Sequence, residues 1–189
     1  DTELFAAPED LSVFQKGLPL EWIEQALEQT DKASIRRRKL PAELVMWLIV
    51  GIDLYRNRSI SEVVAKLDLK LVDKLGETVA PSAIPQARQR LTEAPLQALF
   101  DITSTHWLGR EDSSDTWNGL QLFSIDGTQL RCADSPETAE EFGYITNNPP
   151  KHTEYPIIRL CALMSLRSRM IKDVKFGSSS IGEINYAKQ

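Results

Sequence analysis

Residues 109–119, Gly109-Arg110-Glu111-Asp112-Ser113-Ser114-Asp115-Thr116-Trp117-Asn118-Gly119, separate two regimes of hydrophobic spacing. Before this polar, turn-rich stretch the apolar residues recur at helical intervals; after it they run in short, branched strings. Helices gathered on one side of such a boundary and strands on the other make an α+β chain. A length of 189 residues can bury one good core or two small ones. We therefore expect a helical N-terminal domain over residues 1–118 and a second, strand-bearing domain over residues 119–189.

In the first part, Trp22, Ile23, Ala26 and Leu27 make one apolar helical face. Pro41 to about Arg56 is the clearest helix: Leu44, Val45, Trp47, Leu48, Ile49, Ile52 and Tyr55 leave it little polar face. Its expected place is the centre of a bundle, with Trp47 in the core and Asp53 making a structural contact. Ser59-Ile60-Ser61-Glu62 has the spacing of a capping box. After a loop punctuated by Gly76 and Pro81, Ser82 is expected to cap a helix that turns Ile84, Ala87 and Leu91 inward. That helix turns Gln86, Arg88, Gln89 and Arg90 outward. Two short capped helices suggest a relative of the helix-turn-helix, although the connection between them exceeds the usual short turn. Pro95 to about Trp107 reads as a further helix with Leu96, Leu99, Phe100 and Thr103 on one face, and His106 as a packing or capping residue.

In the second part, Leu120–Ile125 and Thr128–Cys132 read as two strands joined by a turn at Asp126-Gly127. A carboxylate at a strand mouth, beside a glycine that lets a ligand approach the backbone, can serve as a metal ligand. Ser135 and Pro136 open a short helix ending at Gly143. Pro156–Leu166 and Met170–Phe176 make a β-hairpin, Gly177–Gly182 a flexible link, and Glu183–Gln189 the start of a helix.

The net charge of −5 hides an uneven distribution. Residues 1–31 hold one base and eight acids, residues 32–92 twelve bases and six acids, and residues 93–189 nine bases and thirteen acids. The basic middle is where a phosphate-binding surface could lie. Within it, Arg36-Arg37-Arg38-Lys39 just before Leu40-Pro41 reads on charge alone as a solvated linker, but its place at a helix entrance also suits phosphate contact. Arginine can fork onto phosphate or guanine and glutamine onto adenine, which makes Gln86, Arg88 and Arg90 candidate nucleic-acid contacts. The longest apolar stretch, Leu44–Ile52, is too short to span a bilayer, and no signal peptide is expected ahead of it. Cys132 and Cys161 suit reduced thiols in a cytoplasmic protein, and neither His106 nor His152 has structural-zinc spacing.

Two groups of strings resemble the insertion-element-four family of DDE transposases. Phe123-Ser124-Ile125-Asp126-Gly127-Thr128-Gln129-Leu130-Arg131, through Glu141-Phe142-Gly143, is similar to the family's first active-site motif; Asp134-Ser135-Pro136-Glu137, Tyr155-Pro156 and Arg159-Leu160 follow in order. Arg36 through Leu48, Leu54-Tyr55-Arg56, Pro81-Ser82-Ala83-Ile84 and Gln86 through Leu91 resemble its N-terminal helical domain. The resemblance implies a helical DNA-binding domain, then an incomplete RNase H-like α/β domain holding the first three strands. It implies double-stranded DNA as partner, at the element's terminal inverted repeats, and a homodimer as the working pair; no membrane and no small-molecule substrate are expected.

Family chemistry gathers three carboxylates around two divalent ions, Mg2+ or Mn2+, for phosphodiester transfer. Asp126 matches the first acid, catalytic and metal-binding. The second belongs at the end of a fourth strand, and neither Asp173 nor Glu183 matches it. The chain is thus expected to be an N-terminal fragment of a longer transposase, to bind no metal as it stands and to cut no DNA. Two other readings remain open: a stand-alone DNA-binding regulator that occupies element ends, and a helical protein–protein interaction module with an ordinary basic surface.

Overall fold

Helical spacing near the N-terminus is realised in α1, Leu20–Gln29, where Ile23, Ala26 and Leu27 are fully buried. The computed structural model describes residues 17–33, 40–66, 82–110, 116–145 and 154–188. Pro41, extended at ψ 157°, leads into α2, Ala42–Leu54, and its carbonyl accepts from the Val45 amide at 3.2 Å. Val45, Met46, Leu48 and Gly51 are buried, and Leu44, Trp47, Ile49 and Ile52 pack partly covered against the same core. α2 touches α1 and both α3 (Ile60–Lys66) and α4 (Ala83–Leu91), so it is the central helix its apolar girth predicts. α5, Ala94–Leu108, adds Leu99 to the shared cluster and buries Thr103, whose hydroxyl donates to the Phe100 carbonyl at 3.0 Å.

The capping box at the start of α3 forms as the sequence predicts. The Ser59 amide and hydroxyl each donate to Glu62 Oε2 at 2.8 Å, and the Glu62 amide donates to Ser59 Oγ at 3.3 Å. These bonds, with Arg58 3.5 Å away, hold the Glu62 carboxyl below the usual carboxylate value. A group whose pKa is lowered by folding stabilises the fold above its unfolded pKa, and that contribution is lost as pH falls through the lowered folded value. Acidification from about pH 6 to about pH 2 should therefore loosen α3, and Glu62→Gln should reduce that response. NMR shifts of Ser59 and Val63 across the titration report it; identical titrations of the two proteins would remove the role.

Two expectations in this part are corrected. Ser82 is helical, at φ −68° and ψ −19°, and its side chain makes no capping bond. Asp53 makes no inward contact: its side chain is 80% exposed and only 4.0 Å from an equally exposed Arg56 nitrogen. An exposed pair of that kind adds little stability. The connection from α3 to α4, and with it the helix-turn-helix comparison, lies outside the described residues.

The chain divides into two compact units, Asp1–Thr103 and Ser104–Gln189. The division falls inside α5, ahead of the 118/119 boundary that composition suggests. In the second unit β1 (Phe123–Arg131), β2 (Ile157–Ser165) and β3 (Ile171–Ser178) form an antiparallel sheet in that order. The second strand and the third make the predicted hairpin, with an irregularity at Leu163/Met164. Between the first two strands lies α6, Pro136–Phe142. Ser135 caps it as predicted: its side chain accepts from the Thr138 amide, Thr138 answers it, and Pro136 takes the first helical position. A last short helix, α7, covers Glu183–Tyr186.

The expected turn at Asp126-Gly127 does not exist. β1 runs unbroken through both residues, pairing Asp126 with Ala162 and Gly127 with Cys161. Its tight turn comes earlier, where Asn118 (φ +50°) and Gly119 (φ +80°) join Trp117 to Leu120 in a two-residue hairpin. A Cβ at Gly127 would lie 2.5 Å from Glu183 Cδ, so a side chain there would have to push the flexible end of Glu183 aside. Gly177 is likewise part of β3 and no flexible link, because a Cβ would meet the Tyr186 hydroxyl at 2.6 Å. α7 thus rests on two side-chain-free positions of one sheet face, with the Tyr186 hydroxyl donating to the Ser178 carbonyl at 3.0 Å.

Candidate functional site

α4 turns Ile84, Ala87 and Leu91 into the core, which leaves Gln86, Arg88, Gln89 and Arg90 exposed on the other side. Gln86 and Arg90 are four residues apart and share a face; Arg88, two residues from each, is exposed on the opposite flank of the helix. No acidic residue occurs in the helix, and the two arginines stand in its last turn, where the helix dipole favours positive charge. Lys32 Nζ donates to the Arg90 carbonyl at 3.3 Å and adds a further base at that end. Sequence reading passed over Lys32, which follows α1 with no periodic signal and joins the group only through the fold. Just past the helix, Thr92 adopts φ +65°, an uncommon conformation for a β-branched residue. Arg36, Arg37, Arg38 and Lys39 lie outside the described residues.

Asp126 is exposed near the middle of β1. Pleat alternation puts it on one face of the sheet with Ser124 and Thr128, opposite Ala162 and, one strand further, Val174. Asp173 belongs to the other face with Ile125, Cys161 and Leu163, and Glu183 lies over Gly127 on that same side. Strand geometry therefore separates Asp126 from both nearby acids. Its carboxylate is engaged locally: the Gly127 amide donates to Asp126 Oδ1 at 2.9 Å. Among the described residues no three His, Cys, Asp or Glu side chains are gathered to hold a metal ion. One carboxylate leaves most of a Mg2+ coordination sphere unfilled, so these residues do not fit a divalent-metal centre by themselves.

Beneath α7 a small cavity of about 80 Å³ is lined by Ile125, Cys161, Leu163, Asp173, Lys175 and Tyr186. Burial pushes the Cys161 thiol up from its ordinary value, and the carboxylates of Glu183 and Asp126 push it further. Cys132 is free and only partly covered. Since the thiolate is the reactive form, iodoacetamide at about pH 8 should label Cys132 and spare Cys161 in the native protein. Mass spectrometry of tryptic peptides would decide, and equal labelling of the two would contradict this burial.

No helix among the described residues is long and apolar enough to cross a membrane. The family description "Insertion element 4 transposase N-terminal" matches residues 8–101, which contain α1 to α4 and the start of α5. The chain is 38% identical to the candidate transposase InsZ of Escherichia coli (strain K12) over 165 residues, 87% of this chain and 54% of that protein. It is 33% identical over 171 residues to InsG, the transposase for insertion sequence element IS4 in the same strain, covering 89% of this chain and 38% of InsG. The chain thus spans about half or less of the length of these relatives. No solved structure matches it. Both relatives are transposases by name and align with nearly nine-tenths of the sequence, and the family description falls on its helical part: the chain belongs to the insertion-element-four transposase family and corresponds to its N-terminal portion.

Proposed function

We propose that the helical unit binds double-stranded DNA at the ends of a mobile element, and that the strand-bearing unit opens an RNase H-like catalytic domain. The observation that carries the DNA reading is α4: Gln86, Arg88 and Arg90 stand outward on a helix without acids, fixed from behind by three core residues. In this reading Arg36, Arg37, Arg38 and Lys39 neutralise phosphates, while Gln86 and Arg90 reach base edges. Asp126 is the first of the family's catalytic acids, with Mg2+ or Mn2+ as the ion in a full-length enzyme.

A second reading is favoured by the position of Asp126 apart from Asp173 and Glu183. This chain on its own occupies element ends without cutting them. Both readings need the DNA contact, and a salt titration of binding to a duplex carrying an element end tests it. Affinity should fall steeply between about 50 and 200 mM salt, because each neutralised phosphate releases counterions. Absence of binding at the lowest salt would sink both readings and leave the helical unit as a protein–protein module.

A further inference from the structure

Within the helical unit, α1 and α4 are distant in sequence and are joined at their C-terminal ends by one side chain. α1 stops in a closed turn. Asp31 takes φ +55°, its amide donates to the Glu28 carbonyl at 3.2 Å, and the Lys32 amide donates to the Leu27 carbonyl at 2.8 Å. The Thr30 hydroxyl donates to the Ala26 carbonyl at 2.8 Å. Ala26 and Leu27 are fully buried, so these bonds tie the backbone at Lys32 to the core. Lys32 is partly covered, and from this fixed base its Nζ donates to the Arg90 carbonyl at 3.3 Å.

The last four carbonyls of a helix have no donor within it, and its C-terminus carries about half a negative charge. In α4 the Arg88 carbonyl accepts from the Thr92 amide at 3.2 Å, and the Arg90 carbonyl accepts from Lys32. The side chains of Arg88 and Arg90 leave that end unshielded, because helical side chains lean back over the turn before them. Two exposed acids at these chain positions, Asp31 and Glu93, add to the repulsion that the Lys32 ammonium must offset. An ammonium has three N–H donors, and Arg90 engages one. We propose that Lys32 binds a backbone phosphate of duplex DNA with its remaining donors, at the C-terminal end of α4. The proposal rests on the DNA reading above and adds to it a contact from outside both α4 and the basic run. Bonded to the helix on one side and to a phosphate on the other, Lys32 fixes how that end of α4 stands against the duplex.

The test uses the 189-residue chain with Lys32→Gln and Lys32→Arg, on a duplex carrying an element end. Lys32→Gln should weaken binding roughly three- to tenfold in about 0.1 M salt. It should also lower the slope of log affinity against log salt by about 0.9, as loss of one phosphate contact does. The loss should be equal on matched and scrambled duplexes, because phosphates carry no sequence. Lys32→Arg keeps the charge and should keep the slope. Ethylation of single phosphates should reveal one position that hinders the parent and leaves Lys32→Gln unaffected, which a merely structural role would not produce. An unchanged salt slope in Lys32→Gln, or identical ethylation patterns in the two proteins, overturns the proposal. Loss of helical circular dichroism in Lys32→Gln would make the residue structural and overturn it too. A parent that binds no duplex sinks the DNA reading and this inference together. A parent that binds just as Lys32→Gln does sinks this inference alone.

Discussion

Leu48→Ala should cost the helical unit about 2–5 kcal/mol, a large share of the roughly 5–15 kcal/mol that holds a domain together. Leu48 is 1% exposed on α2, in a cluster with Ile23, Leu27, Val45 and Met46. α2 is packed by α1, α3 and α4, so the space left by the lost atoms can close only if several helices move together. Asp53→Ala, on the same helix but in solvent, should change stability by less than about 0.5 kcal/mol. Urea unfolding followed by helical circular dichroism compares the two. A Leu48→Ala loss under about 1 kcal/mol would deny α2 its central place.

Neutralising Arg36, Arg37, Arg38 and Lys39 together should reduce duplex affinity by roughly 10²- to 10³-fold in about 0.1 M salt, whatever the DNA sequence. Four lost phosphate contacts should also flatten the slope of log affinity against log salt by about 3.6. Replacing Gln86 or Arg90 by alanine should act differently, weakening the preferred site by about 1–3 kcal/mol relative to other sequences. Competition binding with matched and scrambled duplexes separates these behaviours. If the α4 variants lose affinity equally on both duplexes, α4 is a phosphate-contacting surface and base recognition lies elsewhere.

What could be read from sequence depended on whether its cause was local. Ser59 and Glu62, or Ser135 and Pro136, are neighbours whose chemistry fixes a helix start without outside help, and both starts appear. α2 was legible because its apolar residues circle the helix and demand cover on all sides. β1 departs from the sequence reading because Asp-Gly is an ordinary turn signal, and its use as uninterrupted strand follows from pairing with Ala162 and Cys161, far along the chain. The same reasoning applies to Gly177, which is held in β3 opposite Arg159.

The candidate DNA face was legible for a related reason. Ile84, Ala87 and Leu91 set which side of α4 is inward, so Gln86, Arg88 and Arg90 had to face out. Lys32 reaches that helix through packing alone. Asp126 was singled out by a resemblance in sequence, while its bond to the neighbouring amide is a property of the ladder that no motif carries.

The seating of α7 on Gly127 and Gly177 also disciplines the pairing of β1 with β2. Were the first strand to zip up one residue out of step, the aspartate would rotate beneath the terminal helix, where Glu183 already stands, and the vacant spot would turn to solvent. Misaligned chains would then suffer steric collision and electrostatic repulsion at once, so the correct alignment is proofread by the last helical turn.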